Sequence, residues 1–152
     1  MIHYSKAKLS HVMQMQELVQ PYVDDGTILM RSADEIATNI RSYTLAFKDD
    51  KLIGFSALHI HTVKLAEIRS LIVAESFRDK GVGKELVSLG LHEGEKLGLE
   101  EVLVLTYKQA FFQKLGFIEI PKESLPEHKI WADCIKCKHF PLCNEVSLIK
   151  KY

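Results

Sequence analysis

The stretch Arg78-Asp-Lys-Gly-Val-Gly-Lys84 limits what this chain can fold into more than any other. Residues 68–73 before it read as a buried strand, and from about 83 to 97 apolar residues recur at helical spacing. A strand must therefore turn into a helix within a few residues. Gly81 and Gly83 allow the turn conformations and close approaches that a side chain would block. A helix begun this way leaves its first backbone N–H groups unpaired, and these can converge on a phosphate with help from the helix dipole. Arg78, Lys80 and Lys84 add positive charge at the same place. The expectation is an anion cradle. Gly-x-Gly alone is neither the Walker pattern nor a full dinucleotide fingerprint, so a solvated turn with helix-capping glycines stays open on the motif by itself.

Anion binding has to be local, because 20 Lys and Arg balance 20 Asp and Glu and no global basic footprint for nucleic acid exists. A 152-residue chain with 47% hydrophobic and 26% charged residues suits one soluble domain with a full core. Residues 1–9 lack a signal-peptide core, and no apolar run approaches a membrane span. A cytoplasmic protein is the default expectation.

Along the chain, Ile2, Tyr4 and Ala7 suggest a first strand, and Val12, Met15, Leu18 and Val19 a first helix, capped by Ser10 and ended by Pro21 and Asp24-Asp-Gly26. Ser32-Ala-Asp-Glu35 has capping-box spacing, with Ile36, Ile40 and Tyr43 as the apolar face of a second helix. Leu45 and Phe47, the turn Lys48-Asp-Asp-Lys51 and residues 52–60 make an antiparallel hairpin, and 65–73 a third sheet strand after a turn at 61–64. The long helix ends at Gly98; a Val/Leu strand at 101–106, a short helix at 110–115 and a strand after Gly116-Phe117 follow. The expected fold is α+β: one mixed, mostly antiparallel sheet flanked by helices.

This order of elements, with Arg78-x-x-Gly81-x-Gly83 and then Phe111-Phe-Gln-Lys-Leu-Gly-Phe117, resembles the GNAT family of acetyl-CoA-dependent N-acetyltransferases over about residues 2 to 120. The resemblance implies that main-chain groups of Leu71, Ile72 and Val73 meet the pantetheine arm of acetyl-CoA. It implies that backbone N–H groups of Arg78, Asp79, Lys80, Gly81, Val82, Gly83 and Lys84 bind its pyrophosphate. A closer likeness is to the acetyltransferase domain of N-acetylglutamate synthases. It rests on Gly26-Thr-Ile-Leu-Met-Arg31-Ser32, Lys51-Leu-Ile-Gly-Phe-Ser-Ala-Leu58, Ala66-Glu67-Ile-Arg-Ser-Leu-Ile-Val73, Val102-Leu-Val-Leu-Thr106 and Leu125-Pro-Glu-His-Lys129. Those enzymes often carry an amino-acid-kinase domain; the expectation here is the short, stand-alone form, a single domain over 1–152 with a Cys-rich extension at about 128–152. The implied reaction is acetylation of an amino-acid α-amine, L-glutamate first, the opening step toward arginine. Another small amine, or a non-catalytic acyl-CoA sensor, are the alternatives. The implied partners are small molecules, with no nucleic acid and no membrane; domains of the family commonly dimerise, which leaves a homodimer open.

Single residues carry the chemistry of that expectation. Arg31 would face a substrate carboxylate, since its planar donors bind one bidentately; otherwise it is a surface arginine near a helix start. Glu67, in the strand before the cradle, is the candidate base for the substrate ammonium, with Arg69 on the same face as a neighbouring charge or substrate contact. His59 and His61 compete for that role. Where many relatives place an acid tyrosine stands Phe112, next to the cofactor and unable to donate a proton; Tyr107 and Thr106 are the nearby substitutes, Tyr107 the one favoured. Lys129 would contact a second carboxylate or a CoA phosphate. Cys134, Cys137 and Cys143 have spacing that could bind zinc with His128 or His139, but redox pairing and plain packing compete, and zinc is not the favoured reading.

Overall fold

The computed structural model describes residues 1–26, 28, 31–121, 124 and 146–152. Its elements are β1 (Ile2–Lys6), α1 (Val12–Asp24), α2 (Ala33–Thr38), β2 (Tyr43–Lys48), β3 (Lys51–Ile60), β4 (Leu65–Val73), α3 (Val82–Leu97), β5 (Glu101–Thr106), α4 (Gln109–Lys114), β6 (Ile118–Ile120) and β7 (Val146–Lys151). They form one seven-stranded sheet in the order β1-β2-β3-β4-β5-β7-β6. Every pairing is antiparallel except β4 with β5.

Both faces of the sheet are covered. On one, Met15 of α1 and Ile36 of α2 pack on Leu45, Phe55 and Ile72. On the other, Val87 of α3 and Phe112 of α4 pack on Ile68, Val102 and Leu148. The first turns of α3 seat Val82 and Leu86 against Ala46 and Ile53. Each of these fully enclosed aliphatic side chains contributes about 1.5–3 kcal/mol. Gly90 lets α3 lie close to the sheet: a Cβ there would stand 2.8 Å from Ile68 Cδ1.

Most elements lie where the residue pattern puts them, and four details differ. Ser10 does not cap α1; it sits in a short 3-10 turn, Leu9–His11, and His11 takes the cap position. Pro21 lies inside α1, which continues to Asp24, since one missing N–H is tolerated while Asp25 still donates to the Pro21 carbonyl. The second helix stops at Thr38, and Tyr43 opens β2 instead of extending a helical face. The end of the Cys-rich tail is a sheet strand: β7 lies between β5 and β6. Ser147 and Leu148 are both fully buried, so β7 lacks the in–out alternation that marks a half-exposed strand. The Asp49-Asp50 turn has positive φ at both residues, 51° and 64°, as a two-residue hairpin turn matched to strand twist requires.

One irregularity decides where a ligand can enter. Phe55 pairs with Ile72 but Ala57 with Arg69, so Ser70 and Leu71 together oppose Ser56. Ser70 has φ 58°, the left-handed conformation within a strand. This bulge bends β4. The parallel ladder with β5 stops at Glu67↔Leu103, and beyond it the two strands part.

Candidate active site

The opening between the parted strands is a groove of about 740 Å³. Ser70, Leu71, Ile72 and Val73 of β4 line one wall, and Val104 to Lys108 the other. Tyr22, Asp25, Gly26 and Ile28 line it from the end of α1, and Phe111 and Phe112 from α4.

At one end stands the turn into α3. Gly81 caps that helix with φ 84°, and Asp79 also has positive φ, 62°. This sequence of turns presents the N–H groups of the first helical turn to the groove mouth, where they have no intrahelical acceptor. Val82 takes part only through its backbone, because its side chain is core. A Cβ on Gly83 would stand 3.6 Å from the Phe111 ring, so helix and ring are in near contact. Arg78 donates from Nε to the Val73 carbonyl at 3.2 Å and from Nη2 to the Tyr22 hydroxyl, its guanidinium carbon 5.1 Å from the centre of that ring. Lys84 lines the groove, whereas the Lys80 ammonium lies 5.6 Å from the Phe77 ring and away from the lining.

The other end is polar and enclosed. Glu67 is 2% exposed, yet lines the groove. His61 Nε2 lies 2.8 Å from its Oε1, and Arg69 Nη1 lies 3.9 Å from the same oxygen. The His59 ring meets that of His61 edge-on at 4.9 Å. Arg31 donates from Nη1 to Glu35 Oε2 at 2.6 Å, while the Ser32 hydroxyl accepts from the Glu35 N–H and caps α2. The cap is therefore half of the expected box: the Glu35 carboxylate turns to Arg31. Tyr43, buried beside Ser70, has its phenol pushed up chiefly by burial, with Arg31 and Arg69 pulling it back. Arg31, Arg69, Tyr43 and His59 also share a small polar recess next to the groove.

Thus Arg31, Glu67, Arg69, Leu71, Ile72, Val73, Arg78, Asp79, Gly81, Gly83, Lys84, Thr106, Tyr107 and Phe112 all line one space. Phe112 is also core, packed edge-on against Phe111 at 4.9 Å and Phe117 at 5.4 Å. Tyr107 is half-exposed in the turn after β5. Lys129, Cys134, Cys137, Cys143, His128 and His139 lie outside the described residues. Among the described residues no group of three or more His, Cys, Asp or Glu could hold a metal ion. Sequence reasoning missed Tyr22, Tyr43 and Phe111 as neighbours of the site, and missed the pairing of His61 with Glu67. Only Phe111 had a local signal, its place beside Phe112.

Comparison with known proteins places the fold. The family model described as the acetyltransferase (GNAT) family matches residues 12–117. An uncharacterised N-acetyltransferase of Chlorobaculum tepidum is 39% identical over 144 residues, 95% of this chain and 92% of that protein. An amino-acid acetyltransferase of Vibrio vulnificus is 30% identical over 115 residues, 74% of this chain but 26% of that protein's length. Among solved structures, N-acetylglutamate synthase from Neisseria gonorrhoeae, complexed with coenzyme A and N-acetyl-glutamate, superposes with TM-score 0.88 at 21% identity, covering 99% of this chain and 35% of that one. Rv2747 from Mycobacterium tuberculosis, solved in complex with coenzyme A, superposes with TM-score 0.81 at 23% identity, covering 99% of both chains. On the family match and the full-length relative, the chain belongs to the acetyltransferase (GNAT) family.

Proposed function

We propose that this acetyltransferase moves the acetyl group of acetyl-CoA to the α-amine of an amino acid, and that L-glutamate is the acceptor. The observation that carries this reading is the layout of one groove, with backbone N–H groups at one end and an enclosed carboxylate with two guanidinium groups at the other. The pyrophosphate of acetyl-CoA lies on the turn from Arg78 to Lys84, where anions are favoured. The pantetheine arm runs along the main chain of Leu71 to Val73, taking the place that β5 leaves when the strands part. The thioester then reaches the level of Glu67.

Glu67 removes a proton from the substrate ammonium, directly or through water, leaving the nitrogen lone pair to attack the thioester carbonyl carbon. The nitrogen, cationic after attack, loses its second proton to solvent, and collapse of the tetrahedral intermediate then breaks the C–S bond, leaving the amide and releasing CoA thiolate. Tyr107 stands on the groove wall as the donor for that sulfur, while Phe112 serves as a packing surface for the cofactor. Arg31 and Arg69 hold substrate carboxylates, which favours a dicarboxylic acceptor. The chain's likeness to proteins named amino-acid acetyltransferase and N-acetylglutamate synthase supports the same choice.

Thiol release from acetyl-CoA, measured across the amino acids, polyamines and short peptides, tests the reading. Glutamate should give the highest kcat/KM. A polyamine or peptide acceptor ahead of it would overturn the substrate assignment, and acetyl-CoA binding without turnover on any amine would favour a sensor.

A further inference from the structure

We propose that His61 is a positioning residue that aims and electrostatically tunes Glu67 as the base of the transfer. The inference deepens the role of Glu67 proposed above and rests on it. His61 and Glu67 come from different strand ends: His61 follows β3, and Glu67 lies in β4 opposite His59. The turn between those strands is closed by His61 and Thr62 N–H groups donating to the Leu65 carbonyl, at 2.9 and 3.0 Å. That turn folds the imidazole back over β4, where Nε2 stands 2.8 Å from Glu67 Oε1.

The two side chains are 4% and 2% exposed, so the pair sits in a low-dielectric setting where a hydrogen bond to an ionised group is strong. Their positions differ in one respect that assigns their roles. Glu67 lines the groove and His61 does not, so only Glu67 can meet a substrate there. A carboxylate oxygen can only accept, so the imidazole donates from Nε2 to Glu67 Oε1 and fixes the carboxylate's rotation. When Glu67 accepts the ammonium proton, that hydrogen bond remains within reach of both groups, and the proton's later loss to solvent restores the starting state.

Other polar and charged groups surround the pair. Arg69 on β4 lies 3.9 Å from Oε1, and His59 on β3 stacks edge-on against His61. Arg31 before α2, Tyr43 on β2, Asp25 after α1 and Tyr107 after β5 face the same space, while the β5 residue opposite Glu67 is the apolar Leu103. Removing the imidazole takes a hydrogen-bond donor from the carboxylate and frees its rotation, so kcat and its pH dependence both read the contact.

The test is the pH profile of kcat and the two KM values for wild type, His61→Phe, His61→Asn and Glu67→Gln. His61→Phe should lower kcat by about 10- to 100-fold, part of what a positioned base supplies, leave the acetyl-CoA KM within about twofold, and shift the acid limb. His61→Asn, which keeps an N–H donor, should recover part of kcat; it also carries the test if His61→Phe fails to fold. An unchanged kcat and acid limb in the His61 variants, with Glu67→Gln inactive, overturns the role of His61 and leaves Glu67 as base. An unchanged profile in Glu67→Gln instead removes the base assignment on which the inference rests.

Discussion

Arg31 is bound on one side before any substrate arrives. Its guanidinium holds Glu35 at 2.6 Å and its side chain is only 14% exposed, so it is a preorganised cation that presents its remaining donors to the groove. A hydrogen bond between charged groups contributes about 1.5–3 kcal/mol. Arg31→Ala should therefore raise the acceptor KM by roughly 10- to 100-fold, with that of acetyl-CoA nearly constant; equal rises in both remove the assigned role, as initial-rate kinetics in both substrates will show. Arg31→Lys should recover little, because a point charge lacks the planar fork. Arg31 and Glu67 were legible in the sequence because each is a charged residue against apolar or structured neighbours. Their partners were not. His61 meets Glu67 through a turn, and Tyr22 meets Arg78 across 56 positions, contacts that only the folded sheet creates.

The bulge in β4 and the turn into α3 are the two elements that make the groove, and the sequence announced them unequally. Gly81 declared its turn, since φ 84° is a conformation that suits glycine. A Cβ at Gly81 meets nothing within 4 Å, so Gly81→Ala isolates the backbone cost. It should lower stability by about 1 kcal/mol and raise the acetyl-CoA KM more than the acceptor KM; denaturant melts and kinetics on one preparation check both. Ser70, by contrast, gives no composition signal for its left-handed conformation, so the parting of β4 from β5 could be expected only from the family resemblance. Opposite the bulge, Ser56 is buried and its Oγ has no hydrogen-bond partner among the described residues. Replacing such a group by an apolar one removes a desolvation cost, so Ser56→Ala should stabilise the protein by about 1 kcal/mol in urea unfolding. A loss of stability would show that Ser56 holds the bulge in place. The third case is β7, hidden because both of its faces are buried and because the cysteines just before it drew the reading of the tail.

At the scale of the whole molecule, three tyrosines link stability to pH in one direction. Tyr43 sits in the core beneath α1 and α2; Tyr152 donates from its hydroxyl to the Leu91 carbonyl of α3 at 2.5 Å; Tyr4 packs on the edge strand β1 near α3. Each phenol is raised in the folded state, by burial first, then by Glu85 at Tyr4 and by Glu95 at Tyr152, while Arg31 and Arg69 moderate the rise at Tyr43. A folded-state value above the unfolded one of about 10 means that the unfolded chain loses these protons first. Their contribution is therefore intact below about pH 10 and is lost as pH rises through the folded-state values. Tyr43 is the most buried, and screening by solvent weakens the effect at the other two. Urea unfolding followed from pH 7 to pH 11 should show a steady stability up to about pH 10 and a decline above it. Tyr43→Phe has no proton to lose, so it should flatten part of that decline even though it forfeits the Ser70 hydrogen bond and starts from a lower stability at pH 8. Parallel declines in wild type and Tyr43→Phe would place the alkaline sensitivity elsewhere. Because Tyr43 also borders Arg31 and Arg69, the same variant asks whether the wall behind the proposed acceptor site is supported by the core: if it is, the acceptor KM should rise while the acetyl-CoA KM, assigned by the proposal to the far end of the groove, stays put.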